Sequence, residues 1–188
     1  ATGEEGFART ARGTLSYVLR DLAHPEGGLL SAEDADSEGV EGLFYLWTVP
    51  ALREALGPAE AGAAARVWGC SESGNFHGEA EEAPPGSNIL HHPEPREALA
   101  RALGTDPAAL DARIDGWRER LLDVRSRRVR PHRDDKVLAA WNGLGISALA
   151  RAGRVLGEPG WTAAAGRAAD FVLGLMRDAD GRVLRSWR

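Results

Sequence analysis

The 188-residue chain has 43% hydrophobic and 27% charged residues, an ordinary balance for a globular protein. Its net charge of −5 argues against a nucleic-acid-binding protein, because no excess of positive charge is available to neutralise phosphates. No stretch reaches the ~20 apolar residues of a membrane span, and the single cysteine, Cys70, cannot form an internal disulfide. We therefore expect one domain over residues 1–188, located in the cytoplasm, with no membrane or nucleic-acid partner.

The predicted elements, taken in chain order, are mostly helices. Apolar periodicity with proline and glycine punctuation predicts helices over 7–22, 50–56, 58–68, 95–103, 107–129, 135–156 and 159–176. Two β-rich runs, 29–30 and 43–47, flank an acidic turn and predict a hairpin, and 183–184 predicts a short final strand. Residues 69–87 are predicted to be loop, exposed along the acidic, proline-rich stretch 79–87.

The chain also contains a short internal repeat. A shift of 154 residues places Tyr17-Val18-Leu19 on Phe171-Val172-Leu173 and Gly27 on Gly181. Repeated helical units that cannot bury their faces alone must stack, which favours an α-solenoid or a closed toroid of helical hairpins. The alternative is coincidence, since a helix followed by glycine is common.

The helix predicted over 135–156 is apolar around most of its circumference. Its narrow polar face holds Lys136, Ser147, Arg151 and Arg154. A helix of this kind is buried on several sides, as the inner helices of an α/α-barrel are. We therefore predict a mainly α fold: a partial (α/α)6 toroid of helical hairpins, with short β-hairpins at helix ends.

The densest polar cluster lies where this helix is predicted to begin, and it contains the only lysine of the chain. His132, Asp135 and Lys136 can together supply a proton acceptor, a proton donor and a charge stabiliser, so we predict them as catalytic. Asp134 or Asp135 can also serve as the N-cap of the helix. The alternative is that the cluster forms structural ion pairs with neighbouring arginines.

Further residues around this cluster are predicted to bind substrate. Trp141 can form a wall or a stacking platform. Asn142 follows Asp135 by two helical turns, so it can support that aspartate or reach a ligand hydroxyl. Arg133 and Asp134 add charged groups that can contact the same ligand.

A second acidic cluster lies near the N-terminal part of the chain. Asp34, Asp36 and Glu38 imitate the opening of an EF-hand loop, but the twelfth position holds Tyr45 and the flanking segments are β-rich, so an EF-hand is rejected. Paired carboxylates in different environments serve acid–base chemistry on sugars. We predict that Asp34 and Asp36 bind substrate at a cavity mouth; the alternative is an exposed hairpin tip.

The remaining polar residues give weaker signals. Asn75 and Asn88 favour specific turns over ligand contacts, and Cys70 has no CxxC or histidine partner nearby. The histidines lack metal-site spacing, and no P-loop, GxGxxG or GxSxG motif is present. We therefore predict no metal and no cofactor.

Four ordered motifs resemble a known family, the YyaL-like and spermatogenesis-associated protein 20 family. The motifs cover residues 28–48, 74–76, 88–91 and 128–144. The resemblance implies a thioredoxin-like domain followed by an (α/α)6 toroid similar to six-hairpin glycosidases and N-acylglucosamine 2-epimerases, with this chain forming part of the toroid. The thioredoxin-like domain of the same parent chain is then an expected partner. Gly145 departs from the family pattern, which has a larger apolar residue, and predicts a gap in the helix packing.

Two hypotheses about function follow. The first is a carbohydrate-handling domain, related to sugar isomerases, epimerases or glycoside hydrolases, in which the Asp34/Asp36 hairpin and the cluster at 132–136 meet at the barrel mouth. The second is a non-catalytic scaffold or protein-interaction domain that accompanies a thioredoxin-like module. Fold analogy alone cannot choose between them.

Overall fold

The computed structural model describes residues 3–76 and 83–188 and is mainly α-helical, as predicted. The chain divides into two compact units. The terminal unit comprises Ala1–Glu33 and Arg133–Arg188, and the central unit comprises Asp34–His132. That residues 1–188 form one segment of a barrel stays a prediction. The acidic part of the predicted loop, 79–82, lies outside the described residues.

Helices account for most of the ordered elements. In chain order the elements are α1 (Glu5–Asp21), β1 (Leu30–Glu33), β2 (Asp36–Ser37), β3 (Val40–Glu41), a 3-10 turn (Leu43–Tyr45), α2 (Val49–Leu56), α3 (Pro58–Val67), α4 (Arg96–Ala102), α5 (Pro107–Ser126), β4 (Arg133–Leu138), α6 (Ala139–Leu156), α7 (Pro159–Leu175) and β5 (Ser186–Trp187). Among the described residues, none of the helices is both long and apolar enough to cross a bilayer.

α1 and α7 are two copies of one structural unit, which confirms the predicted repeat. Each helix covers the same positions at an offset of 154 residues, and the chain after each helix makes the same backbone contacts. The hydrogen bond from Leu22 N to Val18 O (3.0 Å) corresponds to the one from Met176 N to Val172 O (3.2 Å). The hydrogen bond from Leu30 N to Leu22 O (2.8 Å) corresponds to the one from Leu184 N to Met176 O (2.7 Å). The isolated bridge Ala23–Leu29 corresponds to the bridge Arg177–Val183.

The repeat places a strand on each side of β4. The terminal unit contains an antiparallel sheet in the order β1-β4-β5, in which Val137 is opposite both Leu30 and Trp187. β1 follows the first copy of the repeated helix and β5 follows the second. The final strand is therefore β5, and the prediction of a strand at 183–184 is wrong because Val183 makes only an isolated bridge.

The pairing of β4 also corrects the predicted start of the long helix. The backbone of residues 133–138 is hydrogen-bonded in the sheet, so α6 begins at Ala139 instead of Asp135. Asp134 and Asp135 are consequently strand residues, and the prediction that one of them is the N-cap is wrong. The N-cap position is Leu138, which offers no side-chain hydrogen bond.

The hairpin predicted between 29–30 and 43–47 is wrong as well, because β1 pairs with β4. A smaller hairpin forms in the central unit, where β2 pairs with β3 across Glu38-Gly39. Both turn residues have positive φ, 55° and 82°, as a two-residue type I′ turn requires. Gly42 then adopts φ 73°, which ends β3 before it can extend further.

The central unit has one continuous core, built by α2 to α5. The fully buried side chains at its centre are Leu52, Val67, Leu99, Leu110 and Ile114. Local sequence starts two of the helices: Thr48 accepts a hydrogen bond from Ala51 N, and Asp106 accepts from Ala108 N and Ala109 N. The apolar faces of α2 to α5 therefore pack against one another and form the core of this unit.

The terminal unit leaves much of α6 uncovered. Leu149 is fully buried, but Leu144 is 72% exposed, Trp141 is 55% exposed and Val155 is 56% exposed. The prediction that this helix is buried on several sides is therefore wrong within the described residues. The physical reason is that α7 covers one face of α6 and no described helix covers the opposite face.

Gly145 does not leave the predicted gap in the packing. A Cβ at this position would lie 2.4 Å from Leu29 Cδ1, so the leucine side chain occupies the space that a larger residue would fill. Leu29 is itself buried at 8% exposure. The Leu29 side chain thus fills the space left by the glycine at position 145.

Candidate functional site

The polar cluster predicted from the sequence lies mainly on β4, at an irregularity of the sheet. Leu30 is opposite Val137 and Ala32 is opposite Asp134, so β4 uses one residue more than β1 over this interval. Such a β-bulge redirects side chains and is frequent beside active sites. Here it accompanies a close contact between Asp134 Oδ2 and Lys136 Nζ, at 2.8 Å, and a hydrogen bond from Lys136 N to Asp134 Oδ1, at 3.3 Å.

The charged groups of β4 continue into a chain of ion pairs with Arg188. Its Nη2 lies 3.4 Å from Asp134 Oδ1, and its Nε lies 3.0 Å from Asp135 Oδ1. These groups remain accessible, since the side chain of Asp135 is 69% exposed and that of Lys136 is 44% exposed. Asp135 and Lys136 are therefore open to a ligand, although both already have charged partners.

Asp134 is held as a carboxylate. The hydrogen bond from the Lys136 side chain is the main cause that lowers the pKa of Asp134 to about 2, and backbone and Ser31 hydrogen bonds add to it against the opposing effect of desolvation. At neutral pH this group cannot donate a proton. Its place in the site is to orient Lys136 and Arg188.

Arg133 contacts the last residue of α1, Asp21, whose side chain is a buried carboxylate that no sequence pattern indicated. Arg133 Nη1 donates to the backbone oxygen of Asp21 at 3.3 Å. The side chain of Asp21 is 2% exposed, and its Oδ2 accepts hydrogen bonds from the Arg20 guanidinium. No local pattern marks Asp21 as buried, because burial at the end of an amphipathic helix depends on which other segments of the chain pack against it.

Trp141 and Asn142 are adjacent on α6 and have opposite environments. Trp141 lines a cavity of about 400 Å³ formed by residues 138–141 and 183–185, which we call the Trp141 cavity. Asn142 is fully buried, accepts from Leu29 N at 2.8 Å, and donates to Leu29 O at 2.8 Å and Leu138 O at 3.0 Å. Its amide is thus occupied by backbone groups, and we assign it to positioning the first turn of α6.

The other predicted site residues belong to the central unit. Asp34 N donates to His132 O at 2.7 Å, and Asp34 Oδ1 accepts from Ala35 N at 3.1 Å. Asp36 is exposed and is opposite Glu41 in the small hairpin, and the His132 side chain is exposed. The central unit thus contains Asp34, Asp36 and His132, whereas Asp135 and Lys136 belong to the terminal unit. That all of them form one site stays a prediction.

Asn75 and Asn88 hold loops of the central unit, which agrees with the turn role favoured from the sequence. Asn88 is fully buried, and its side chain donates to the backbone oxygens of Trp47, Ser71 and Gly86. The Asn75 side chain accepts a hydrogen bond from Ile89 N at 2.8 Å and donates to Gly69 O at 3.0 Å and Ile89 O at 3.1 Å. Both amides are satisfied by backbone groups.

The Cys70 thiol and possible metal ligands also bear on the chemistry of the described residues. Burial raises the pKa of the Cys70 thiol to about 11, so it stays protonated and unreactive at neutral pH. Within residues 3–76 and 83–188, no group of three or more histidine, cysteine, aspartate or glutamate side chains is placed to hold a metal ion.

Comparison with known proteins identifies relatives over nearly the whole chain, although no family model matches it. Spermatogenesis-associated protein 20 from Rattus norvegicus is 36% identical over 98% of this chain and 26% of that protein, and the Homo sapiens protein is 34% identical over the same shares. An uncharacterized protein from Caenorhabditis elegans is 30% identical over 89% of this chain. The chain spans about a quarter of the length of these curated relatives. Over the matched stretch, the chain belongs to the spermatogenesis-associated protein 20 family.

Proposed function

We propose that the terminal unit binds a carbohydrate at the Trp141 cavity. The observation that carries the proposal is the exposed indole of Trp141, which is 55% exposed and lines a cavity at the end of the charged strand β4. An indole offers a large flat apolar face together with an N–H donor, which suits the apolar C–H face of a sugar ring. Exposed apolar surface rimmed by polar groups is typical of ligand-binding grooves.

The charged residues of β4 supply the polar part of this proposed site. Asp135 and Lys136 are exposed. The Asp135 carboxylate can accept a proton and the Lys136 ammonium can stabilise negative charge, so we retain both as candidates for the proton-transfer chemistry. Asp134, whose pKa is lowered to about 2, orients Lys136 through an ion pair at 2.8 Å. Arg133 contacts the end of α1, and Asn142 holds the first turn of α6 against Leu29.

The Trp141 proposal can be tested by saturation-transfer NMR with N-acetylglucosamine, glucose and maltose. We expect at least one of these sugars to receive saturation from the chain and to lose it in Trp141→Ala. Because Trp141 is exposed, this variant should melt within about 2 °C of the parent. The control is Trp161→Phe, a change on α7 away from the cavity that should leave binding intact. If none of the sugars binds, or if Trp141→Ala binds as the parent does, the proposal is wrong.

A second function is favoured by the ion pairs themselves. The ion pairs join Lys136 to Asp134, and they join both Asp134 and Asp135 of β4 to Arg188, the residue after β5. This arrangement is expected if the motif only stabilises the sheet of a non-catalytic scaffold. On this alternative, Asp135→Asn and Lys136→Gln reduce stability slightly and change no ligand binding or turnover. On the carbohydrate proposal, the same substitutions weaken sugar binding or the reaction by far more than they change the melting temperature.

We further propose the setting of this stretch in the longer protein. The resemblance to six-hairpin toroids and the confirmed helical repeat support a place within an (α/α)6 toroid, beside a thioredoxin-like module and in the cytoplasm. Any sugar isomerase, epimerase or hydrolase activity belongs to this proposal. Imaging of a fluorescently tagged full-length relative, and limited proteolysis of it to release the modules, would test the location and the arrangement.

A further inference from the structure

The internal repeat identifies which face of the repeated helix is built for contact with another helix. The residues of α7 in the core cluster that it shares with Leu149 of α6 are Trp161, Ala164, Ala165 and Ala168. The helices approach closely at Gly153 of α6, where a Cβ would lie 2.5 Å from Thr162 Oγ1 and 2.9 Å from Thr162 N. The contact therefore depends on small residues in both helices.

The same positions of α1 lack such a cover. A shift of 154 residues places Trp161 on Phe7, Ala164 on Thr10 and Ala168 on Thr14. Ala164 and Ala168 are buried, whereas Phe7 is 64% exposed and the two threonines are exposed. The threonine hydroxyls already donate to the backbone of their own helix, at 3.0 and 2.9 Å. Covering this face would consequently leave no hydroxyl donor unpaired.

This face of α1 borders a groove of about 1020 Å³ between α1 and α6, which we call the α1–α6 groove. Its apolar lining includes Phe7, Ala8 and Ala11 from α1, and Ala152 and Val155 from α6. Arg151 and Arg154 of α6 also border the groove, and neither has a carboxylate partner in the described part of the chain. A partner that fills the groove can therefore gain apolar burial and two charge-assisted contacts.

We propose that the α1–α6 groove is the docking site for a second helix of the α6 type. Such a helix would have small residues where α6 has Ala152 and Gly153, apolar residues where α6 has Ile146 and Leu149, and a carboxylate near Arg151 or Arg154. It would contact α1 as α6 contacts α7. A second copy of this chain cannot supply it, because its own α6 is already covered by α7 on that face. The matched stretch is about a quarter of the length of the curated relatives, and in a chain of that length we place the docked helix outside the matched stretch.

The test uses a fluorescein-labelled peptide with the sequence of residues 139–156 as the probe. Titration with the full 188-residue chain, followed by fluorescence anisotropy, should give saturable binding. Ala11→Glu should weaken the binding at least tenfold, because the proposal places that carboxylate against the apolar face of the docked helix (a tenfold loss is about 1.4 kcal/mol). Ser16→Glu, on an exposed position of α1 outside the groove, is the matched control and should bind as the parent does. Equal binding by Ala11→Glu would overturn the proposal, since the peptide would then be bound elsewhere.

A second peptide separates helix-type docking from simple hydrophobic adsorption. The Gly153→Leu peptide is more apolar and a better helix former, so adsorption would favour it. Docking of the α6 type requires close approach at this position, so we expect the peptide to bind at least tenfold more weakly than the parent sequence. Tighter binding would overturn the proposal. So would sedimentation showing that the chain alone forms dimers which Ala11→Glu dissociates, because a second copy would then occupy the groove.

Discussion

The central and terminal units differ in how completely each buries its own apolar side chains. The central unit gathers its three tryptophans and most of its leucines into one cluster with fully buried members such as Leu110 and Ile114, and it leaves Ile89 and Val129 exposed. The terminal unit has two smaller clusters and leaves large apolar side chains exposed on α1, α6 and α7. The comparison indicates that the central unit has one larger core, whereas the terminal unit has smaller cores and leaves more large apolar side chains exposed.

The largest expected effect on the free energy of unfolding is the difference between truncating a buried leucine and truncating an exposed one. Leu110→Ala in the central unit removes a fully buried side chain and should lower the free energy of unfolding by about 2–5 kcal/mol, through lost burial and a residual cavity. Leu144→Ala in the terminal unit changes a side chain that is 72% exposed and should stay within about 0.5 kcal/mol. Urea denaturation of the two variants measures both. A cost for Leu144→Ala similar to that for Leu110→Ala would mean that the exposed face of α6 is covered in solution.

A smaller effect separates the covered and uncovered faces of α6 itself. Gly153→Ala should destabilise the terminal unit by about 1–3 kcal/mol, because its Cβ would meet the backbone of Thr162 and Glu158 at 2.9 and 3.0 Å. Gly143→Ala has open space around its Cβ and should stabilise by about 0.5–1 kcal/mol through helix propensity. Thermal unfolding followed by circular dichroism reports the sign of each change. Stabilisation by both substitutions would contradict the close packing of α6 on α7.

The smallest expected effect concerns pH and the ion pairs of β4. The pKa of Asp134 is lowered to about 2 by Lys136, below its ordinary value of about 3.9. A lowered pKa in the folded state stabilises the fold above the unfolded pKa, and that contribution is lost as the pH falls from about 4 towards 2. The difference in urea midpoint between the parent and Asp134→Asn should therefore be present at pH 6 and shrink over this interval.

High salt sharpens the same test. Because the Asp134–Lys136 pair is accessible to solvent, 1 M NaCl should reduce the difference in urea midpoint at pH 6. The control is Asp36→Asn, since Asp36 has no ion pair among the described residues, and its effect should depend less on salt. A difference for Asp134→Asn that does not change with pH would contradict the assigned role of its carboxylate.

Local signals in the sequence located the helices well. Proline and glycine at helix ends and apolar periodicity are read along a few turns of chain. The helices they predict are present, although the one predicted from Asp135 begins at Ala139. The repeat could also be predicted from the sequence, because α1 and α7 have related residues at a fixed offset. The family resemblance rested on short motifs, and relatives at 34–36% identity confirm it.

The candidate site was located by residue type but not by geometry. Asp134, Asp135 and Lys136 were singled out as one charged group, yet they lie in a strand. Both aspartates pair with Arg188, which was not considered, and Asp134 also pairs with Lys136. Asn142 was expected to face a ligand, and its amide is bonded to Leu29, more than a hundred residues away in sequence. Such contacts leave no local pattern by which they could be recognised.

The sequence by itself determined the helical class, the repeated helix-and-turn unit, the family and the location of the polar motif. The tertiary structure alone decided that residues 133–138 form a strand, that a bulge accompanies the Asp134–Lys136 contact, and that one face of α6 is exposed. The physical reason is that helix periodicity and capping act over a few neighbouring residues, whereas strand pairing and burial depend on chain segments distant in sequence. β4 pairs on one side with β1 and on the other with β5, and both of these strands are distant from it in sequence.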